Sequence, residues 1–400
     1  MSLPASTQVL VAGAGPVGTV AAYWLASHGI DVVIAEAGPD CAADLRASTF
    51  HPPTLEMLQQ LGIAGEITAS GLKAPVYHFR ERQTGEAIAF DMRELSDRTA
   101  FPFRVQCEQY IMARLLAERL QQHAKARVLF GHRVVAFEQL RDEVDVALES
   151  STAIHRIKAK YVIAADGGNS IVRKWLNAGF DGFTYPEKFL CLSTEQELAD
   201  YLPNLAYVNY VSDPEEWQVL LRAPSAWRIL VPADEKEPDE NLVNDANRDR
   251  VFDRLIGETG VETLHRTIYR VHQRVVQRMD HGRVFLVGDA AHLNNPLGGF
   301  GMNSGIHDVW NLCPRIETAL SRGHDAESFA QFDRQRRAVT HAFIQAQTIR
   351  NKAFLEHGAA VNHEQSLQNM RATAANEEER IEFLLRQAMF RSLEDAAAIR

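Results

Sequence analysis

Cysteine is scarce: Cys41, Cys107, Cys191 and Cys313 are the only four in 400 residues, and no two form a C-x-x-C pair. That spacing argues against a disulfide framework and a thiolate zinc site, and it fits a reducing cytoplasm. Long apolar runs are missing too. With no stretch of about 18 apolar residues, neither a transmembrane helix nor a stable membrane association is expected. Ahead of Val9–Ala12 there is no basic segment, so that apolar run reads as a strand and not as the core of a secretory signal. Positive charge is not in excess: 42 Lys and Arg stand against 52 Asp and Glu, for a formal charge of −10. This argues against a nucleic-acid binder. Internal repeats and low-complexity segments are absent, and no His/Asp cluster suggests a metal. What remains is a globular composition, 46% hydrophobic and 24% charged, long enough for two or three domains.

The most informative stretch is Arg283–Asp308, RVFLVGDAAHLNNPLGGFGMNSGIHD. Val284–Val287 is one buried strand, with Gly288-Asp289 where it should end. Pro296, Gly298, Gly299 and Gly301 follow, and a helical pattern begins after Asn303. A strand, an acid at its tip, a Gly/Pro loop and a helix N-terminus suit an anionic ligand approached by backbone N–H groups. A bare strand-to-helix turn would have the same composition.

The N-terminus narrows the choice. Gln8–Ala12 is a strand, Gly13-Ala14-Gly15-Pro16-Val17-Gly18 a G-x-G-x-x-G turn, and a helix runs from there to about Ser27. Ile30–Ala35 is the next strand, ending at Glu36, 21 residues past Gly15. Glycines in a strand–turn–helix, with an acid in register for a ribose, predict dinucleotide binding. A second strand–loop–helix unit, Tyr161–Trp175, carries Asp166-Gly167-Gly168, with Ser170 as a plausible N-cap. Between these units, Arg46–Leu61 is a loop entering a helix and Val76–Asp91 a hairpin turning at Thr84-Gly85. Phe103–Gln106 leads into a helix Tyr110–Gln121. Val128–Glu138 and Val144–Glu149 read as paired strands. From Phe183 to Val271 the character changes: Tyr207–Val211, Trp217–Arg222 and Ala226–Val231 are short, aromatic and alternating, as in an antiparallel sheet. Ala233–Asn247 reads as a loop with a short helix start. Helices follow the Gly/Pro motif, Glu327–Glu356 being basic and amphipathic, and Glu364–Arg400 is helical as well. Pro314 should kink or end the helix after the motif.

Together, Gly13–Gly18 with Glu36, Asp166-Gly167, and Gly288-Asp289 with its loop resemble the FAD-dependent aromatic hydroxylases. These are the single-component (class A) flavoprotein monooxygenases with the para-hydroxybenzoate hydroxylase fold, and the hydroxyphenylpropionate hydroxylase type is the nearest in look. The resemblance runs from about Gln8 to Leu355. It implies an α/β fold: a Rossmann-like FAD-binding domain built on the GxGxxG, DG and GD motifs, with an inserted antiparallel-sheet substrate domain and C-terminal helices. The expected division is 1–73, 96–180 and 273–350 for FAD binding, 74–95 and 181–272 for the substrate domain, and 351–400 for the C-terminal helical segment.

The resemblance also implies the site. Gly13, Ala14, Gly15, Pro16, Val17 and Gly18 would cradle the FAD pyrophosphate. Glu36, flanked by Ala37, would hold the adenosine ribose, with Val134 nearby. Arg46 and Gln106 match residues that touch FAD. Asp166 and Gly167 would support the pyrophosphate and the cofactor entrance, and Gly288 and Asp289 the ribityl chain. Pro296, Gly298, Gly299 and Gly301 would wrap the flavin edge, with the N–H groups of Met302 and Asn303 stabilising negative charge at N1/O2. For substrate, the candidates are Tyr207, Asn209, Arg222, His272, Pro296, Leu297 and Gly298. Pro296, Tyr207, Arg222 and His78 are the candidates for catalysis. His292 reads as a structural hydrogen bond near the loop.

No second G-x-G-x-x-G is present, in keeping with NADPH or NADH as a transient donor. The implied reaction is hydroxylation of a small phenolic or N-heteroaromatic acid with O2 through a C4a-hydroperoxyflavin, in a monomer or homodimer. Decarboxylating hydroxylation, epoxidation and Baeyer–Villiger oxidation on the same fold stay open. So does a non-catalytic dinucleotide-fold binding protein, against which the intact Asp289 and Gly/Pro loop argue.

Overall fold

The computed structural model describes residues 3–43, 47–213, 215–356 and 363–400. Two eight-stranded sheets and one three-stranded sheet organise it. In the first, Ser6–Ala12 lies between Val32–Glu36 and Ile154–Ala164, all parallel. Ala126–Phe130 extends one side and Val284–Leu286 the other, again parallel. Central strands buried on both faces need apolar residues at every position, and Val9–Ala12 and Tyr161–Ala164 supply them. Helices Pro16–Ser27, Gln109–Gln122 and Gly301–Arg322 cover this sheet and complete its core.

The second sheet runs His292–Leu293, His265–Val276, Phe180–Thr194, Trp227–Ala233, Gln218–Arg222, Val208–Ser212, Val76–Glu81, Ala87–Asp91. It is antiparallel except at one joint, where Val208–Ser212 pairs parallel with Val76–Glu81. The early hairpin is thereby stitched to strands more than a hundred residues later in the chain. Side chains alternate across the sheet. Phe79, Phe189, Cys191, Tyr210, Val219 and Leu230 form one face, packed with Leu297 of the Gly/Pro loop and with Leu355, Leu367 and Leu384 of the C-terminal helices. Leu190, Leu192, Val211, Leu220, Ile229 and Val231 form the other, covered by Val251, Phe252 and Leu255. Those three belong to a helix, Asp245–Ile256, which starts at the end of the stretch Ala233–Asn247 read as a loop with a short helix start.

Two expectations need correction. Val128–Glu138 is not one strand: Gly131, with φ +65°, separates Ala126–Phe130 in the parallel sheet from Arg133–Gln139, which pairs with Val144–Glu149. Pro314 does not end its helix, which runs unbroken from Gly301 to Arg322. Pro314 sits on the exposed side, where water can satisfy the carbonyl left without a donor. Leu312, Cys313 and Ile316 hold the inner side in the core.

Candidate active site

Each glycine of Gly13–Gly18 meets a different constraint. Gly13 has φ +97°, and a Cβ there would stand 2.4 Å from the Ala165 carbonyl oxygen. A Cβ on Gly18 would fall 1.9 Å from the Gly13 oxygen, so the helix can approach the turn only without one. Around Gly15 there is open space instead, beside a helix that starts at Pro16 with no side-chain cap. Its first N–H groups therefore remain available to an anion. The Glu36 carboxylate is fixed by the N–H groups of Ala14 and Gly38, both at 2.8 Å. Ala37 follows it, exposed. Val134 turns its side chain into the core, two residues past His132, whose N–H bonds the Glu36 carbonyl.

Asp166 follows directly on Ala165, with its Cα 3.1 Å from where a Gly13 Cβ would lie. Its Oδ2 accepts from the N–H groups of Ile171 and Val172, while Oδ1 is buried without a partner. Burial pushes this carboxyl up, against those N–H bonds. Gly167, with φ +78°, makes the turn beside it.

Gly288 has φ +56°, and a Cβ there would press on Val17; a Cβ on Gly305 would come 2.6 Å from Val17 and 2.9 Å from the Gly288 Cα. The first and last glycine motifs thus meet through one valine. Asp289 is exposed in the single turn Gly288–Ala290. Behind it lies a buried network. The Asp308 Oδ2 accepts from the Gly288 N–H at 3.0 Å and bonds His292 Nε2 at 2.7 Å, and Oδ1 takes Arg336 Nε at 2.7 Å. Burial pushes the Asp308 carboxyl up, but His292 and Arg336 outweigh it and hold the group down at about 2. His292 is therefore a structural partner, as its sequence position suggested.

The loop from Pro296 is secured at every turn. Gly298 (φ +120°) and Gly299 (φ +68°) leave no room for a side chain against Phe300 and Thr49. Asn303, fully buried, donates to the carbonyls of Thr49 and Gly299 and accepts the His51 N–H. The Gly298 carbonyl bonds His51 Nε2 at 2.8 Å. Burial and the neighbouring Arg104 keep the His51 imidazole well below its usual range, so it is neutral. Pro296 is exposed, and Leu297 is buried against the second sheet. The helix from Gly301 has no side-chain N-cap, which leaves the N–H groups of Met302 and Asn303 free of one. Gln106 is buried beside Thr49, which donates to its Oε1, and its Nε2 has no partner.

Tyr207, Asn209, Arg222 and His272, expected at the substrate, and His78, expected in catalysis, stand on the face of the second sheet turned away from Leu297. Asn209 pairs with Leu220 and His78, and Arg222 with Trp227, all on the side turned away from Leu297. Asn209 closes a local turn on Ala206, Tyr207 is 41% exposed, and Arg222 reaches the Ala223 carbonyl and Glu197. His78 is half-buried, and burial and Arg80 push its imidazole down. His272 also faces away: Val271 and Gln273 point to the loop, and His272 bonds Thr184. Arg46 lies outside the described residues.

The groups that do meet the loop were not singled out from sequence. Gln273 Oε1 accepts the Asn295 N–H, Asn351 donates to the Leu297 carbonyl, and Gln387 donates to Asn351. They come from a sheet strand and two C-terminal helices, and only the three-dimensional fold brings them together.

Open space at Gly15 and unpaired buried atoms on Asp166 and Gln106 fit a ligand with a pyrophosphate and a polar ring edge. A fold with this cradle, facing an apolar sheet across a clamped Gly/Pro loop, defines a flavin-dependent monooxygenase of the single-component class. The comparisons agree. The chain belongs to the family described as "FAD binding domain", which it matches over residues 6–347. It is 29% identical over 360 residues to para-nitrophenol 4-monooxygenase of Pseudomonas sp. (strain WBC-3), covering 87% of each chain. It is 31% identical over 333 residues to 6-hydroxy-3-succinoylpyridine 3-monooxygenase HspB of Pseudomonas putida (strain DSM 28022 / S16), covering 82% of this chain and 84% of that one. In fold it is similar to the crystal structure of p-nitrophenol 4-monooxygenase PnpA from Pseudomonas putida DLL-E4. The TM-score is 0.91 at 24% identity, with both chains fully covered. The protein is an FAD-dependent monooxygenase. No helix among the described residues is long and apolar enough to cross a membrane.

Proposed function

We propose that this protein hydroxylates a small anionic aromatic ring, phenolic or N-heteroaromatic, at the expense of NAD(P)H and O2, in the cytoplasm. The supporting observation is the clamped loop Pro296–Gly301, set against the apolar sheet face of Phe79, Phe189 and Tyr210 through Leu297. Bound FAD would carry two electrons from NAD(P)H to O2, one oxygen atom going to a ring carbon and the other leaving as water.

The chain's own contribution is placement and electrostatics. Gly13, Gly15 and Gly18 give the pyrophosphate backbone N–H groups at a helix N-terminus, and Glu36 is held ready for the ribose hydroxyls. Asp289 would hold the ribityl chain. Asp166 Oδ1 and Gln106 Nε2 are the unpaired acceptor and donor for the cofactor. The N–H groups of Met302 and Asn303 would favour negative charge at the flavin N1/O2 edge. Leu297 and the aromatic face exclude water from the ring.

The test is a panel of phenolic and hydroxypyridine acids with purified holoenzyme, NADPH or NADH, and O2, read by product mass. A product heavier by one oxygen, with stimulated NAD(P)H oxidation, is expected. NAD(P)H oxidation unmoved by every aromatic would overturn the reading.

A further inference from the structure

Arg104 is among the largest fully buried side chains of the protein, at 1% exposure. Buried arginines are ordinarily paired with carboxylates. This one has no carboxylate partner among the described residues. Its Nη2 reaches only the Gln387 carbonyl, at 3.5 Å, and its Nε is buried with no acceptor. Its guanidinium lies 4.3 Å over the ring of Tyr77, whose buried hydroxyl is also unpartnered. Two unpaired donors, one of them cationic, thus share one buried spot.

That spot is linked to the Gly/Pro loop. Tyr77 lies in the same apolar cluster as Leu297, Phe79 and Tyr210. Gln387, which takes the Arg104 contact, donates to Asn351, and Asn351 donates to the Leu297 carbonyl. Two residues along the Arg104 strand is Gln106, and the His51 that bonds the Gly298 carbonyl feels the charge of Arg104. Burial keeps the Tyr77 hydroxyl protonated, against the pull of Arg104, so it remains a donor.

We propose that Arg104 and Tyr77 form the receptor for the anionic oxygen of the aromatic substrate, the role for which the resemblance to aromatic hydroxylases made Arg222 and Tyr207 candidates. An anion is what this site lacks: a carboxylate or phenolate oxygen would take the Arg104 Nε–H and the Tyr77 O–H together. The proposal rests on the aromatic-monooxygenase reading and selects acidic rings over neutral ones.

The experiment is equilibrium binding of p-nitrophenol and of benzoate to oxidised holoenzyme, followed by the flavin spectrum. For p-nitrophenol, the yellow phenolate band also gives the acidity of the bound ligand. Arg104→Met should weaken both anions roughly 10- to 100-fold, since charged hydrogen bonds are the strong ones. It should also raise the apparent pKa of bound p-nitrophenol, while FAD content stays at the wild-type level. Tyr77→Phe and Arg104→Lys should do the same to a smaller degree, and they carry the test if Arg104→Met does not fold. Loss of p-nitrophenol binding alone assigns the receptor to a phenolate, and loss of benzoate alone to a carboxylate. Unchanged affinity and unchanged ligand acidity in the variants overturn the proposal. Wild-type turnover that is equal for neutral and anionic phenols also overturns it, while leaving the monooxygenase reading intact. Absence of turnover with any aromatic sinks that reading instead.

Discussion

Removing Arg336 should loosen the flavin loop without touching it. Its guanidinium meets Asp308 at 2.7 Å with both side chains essentially unexposed, 1% and 0%. It also reaches the Ser304 carbonyl and hydroxyl at 3.3 Å. In Arg336→Met the Asp308 carboxylate stays buried with only His292 and the Gly288 N–H as partners. Breaking a buried pair from one side costs about 3–5 kcal/mol, most of it from the charge left behind. If that is the cause, also substituting Asp308→Asn removes the stranded charge while keeping an acceptor for Gly288. The double variant should then be more stable than the sum of single losses predicts, by about 2 kcal/mol. The assay is urea unfolding of all four proteins in a double-mutant cycle, with FAD release followed by flavin fluorescence. Single variants should release FAD at lower urea than wild type, because Asp308 holds the turn that presents Asp289. Strictly additive losses, or FAD retention equal to wild type in Arg336→Met, would refute the reasoning.

Two further outcomes test the same frame. Asp308 is held below its unfolded value of 3.8, at about 2, so its contribution is present above about pH 4 and lost as pH falls from about 4 towards 2. Acid-induced FAD release should have a component in that window, and it should disappear in Asp308→Asn. Gly18→Ala would place a methyl 1.9 Å from the Gly13 oxygen, and it should yield protein depleted in FAD. A Gly18→Ala protein with full flavin content would show that the turn can move.

The glycine motifs were legible in the sequence because their geometry leaves little choice of residue. At Gly13, Gly18, Gly298 and Gly299 a Cβ would strike neighbouring atoms, and such positions leave a readable spacing. Which face of the second sheet packs on the Gly/Pro loop was not legible. Phe189-Leu190-Cys191-Leu192 is apolar at every position, since one face packs on the loop and the other on the helix Asp245–Ile256. Alternation therefore carries no sign, and Tyr207, Asn209, Arg222, His78 and His272 lie on the face turned away from the loop. Arg104 and Arg336 escaped notice for a related reason. Each lies among residues of mixed polarity, and burial of an arginine is decided by elements far away in the chain.

The single parallel joint of the second sheet has a consequence during synthesis. The hydroxyl of Ser212 bonds the carbonyl of Arg80, 132 residues away. At about 5–20 residues per second, the ribosome needs roughly 6–25 seconds to deliver the strand Val208–Ser212 after the hairpin Val76–Asp91 has emerged. Throughout that interval a hairpin formed by Val76–Glu81 and Ala87–Asp91, carrying Tyr77, Phe79 and Phe90, would have an open edge. An open aromatic edge is a ready template for wrong pairing, and it closes only when Val208–Ser212 arrives.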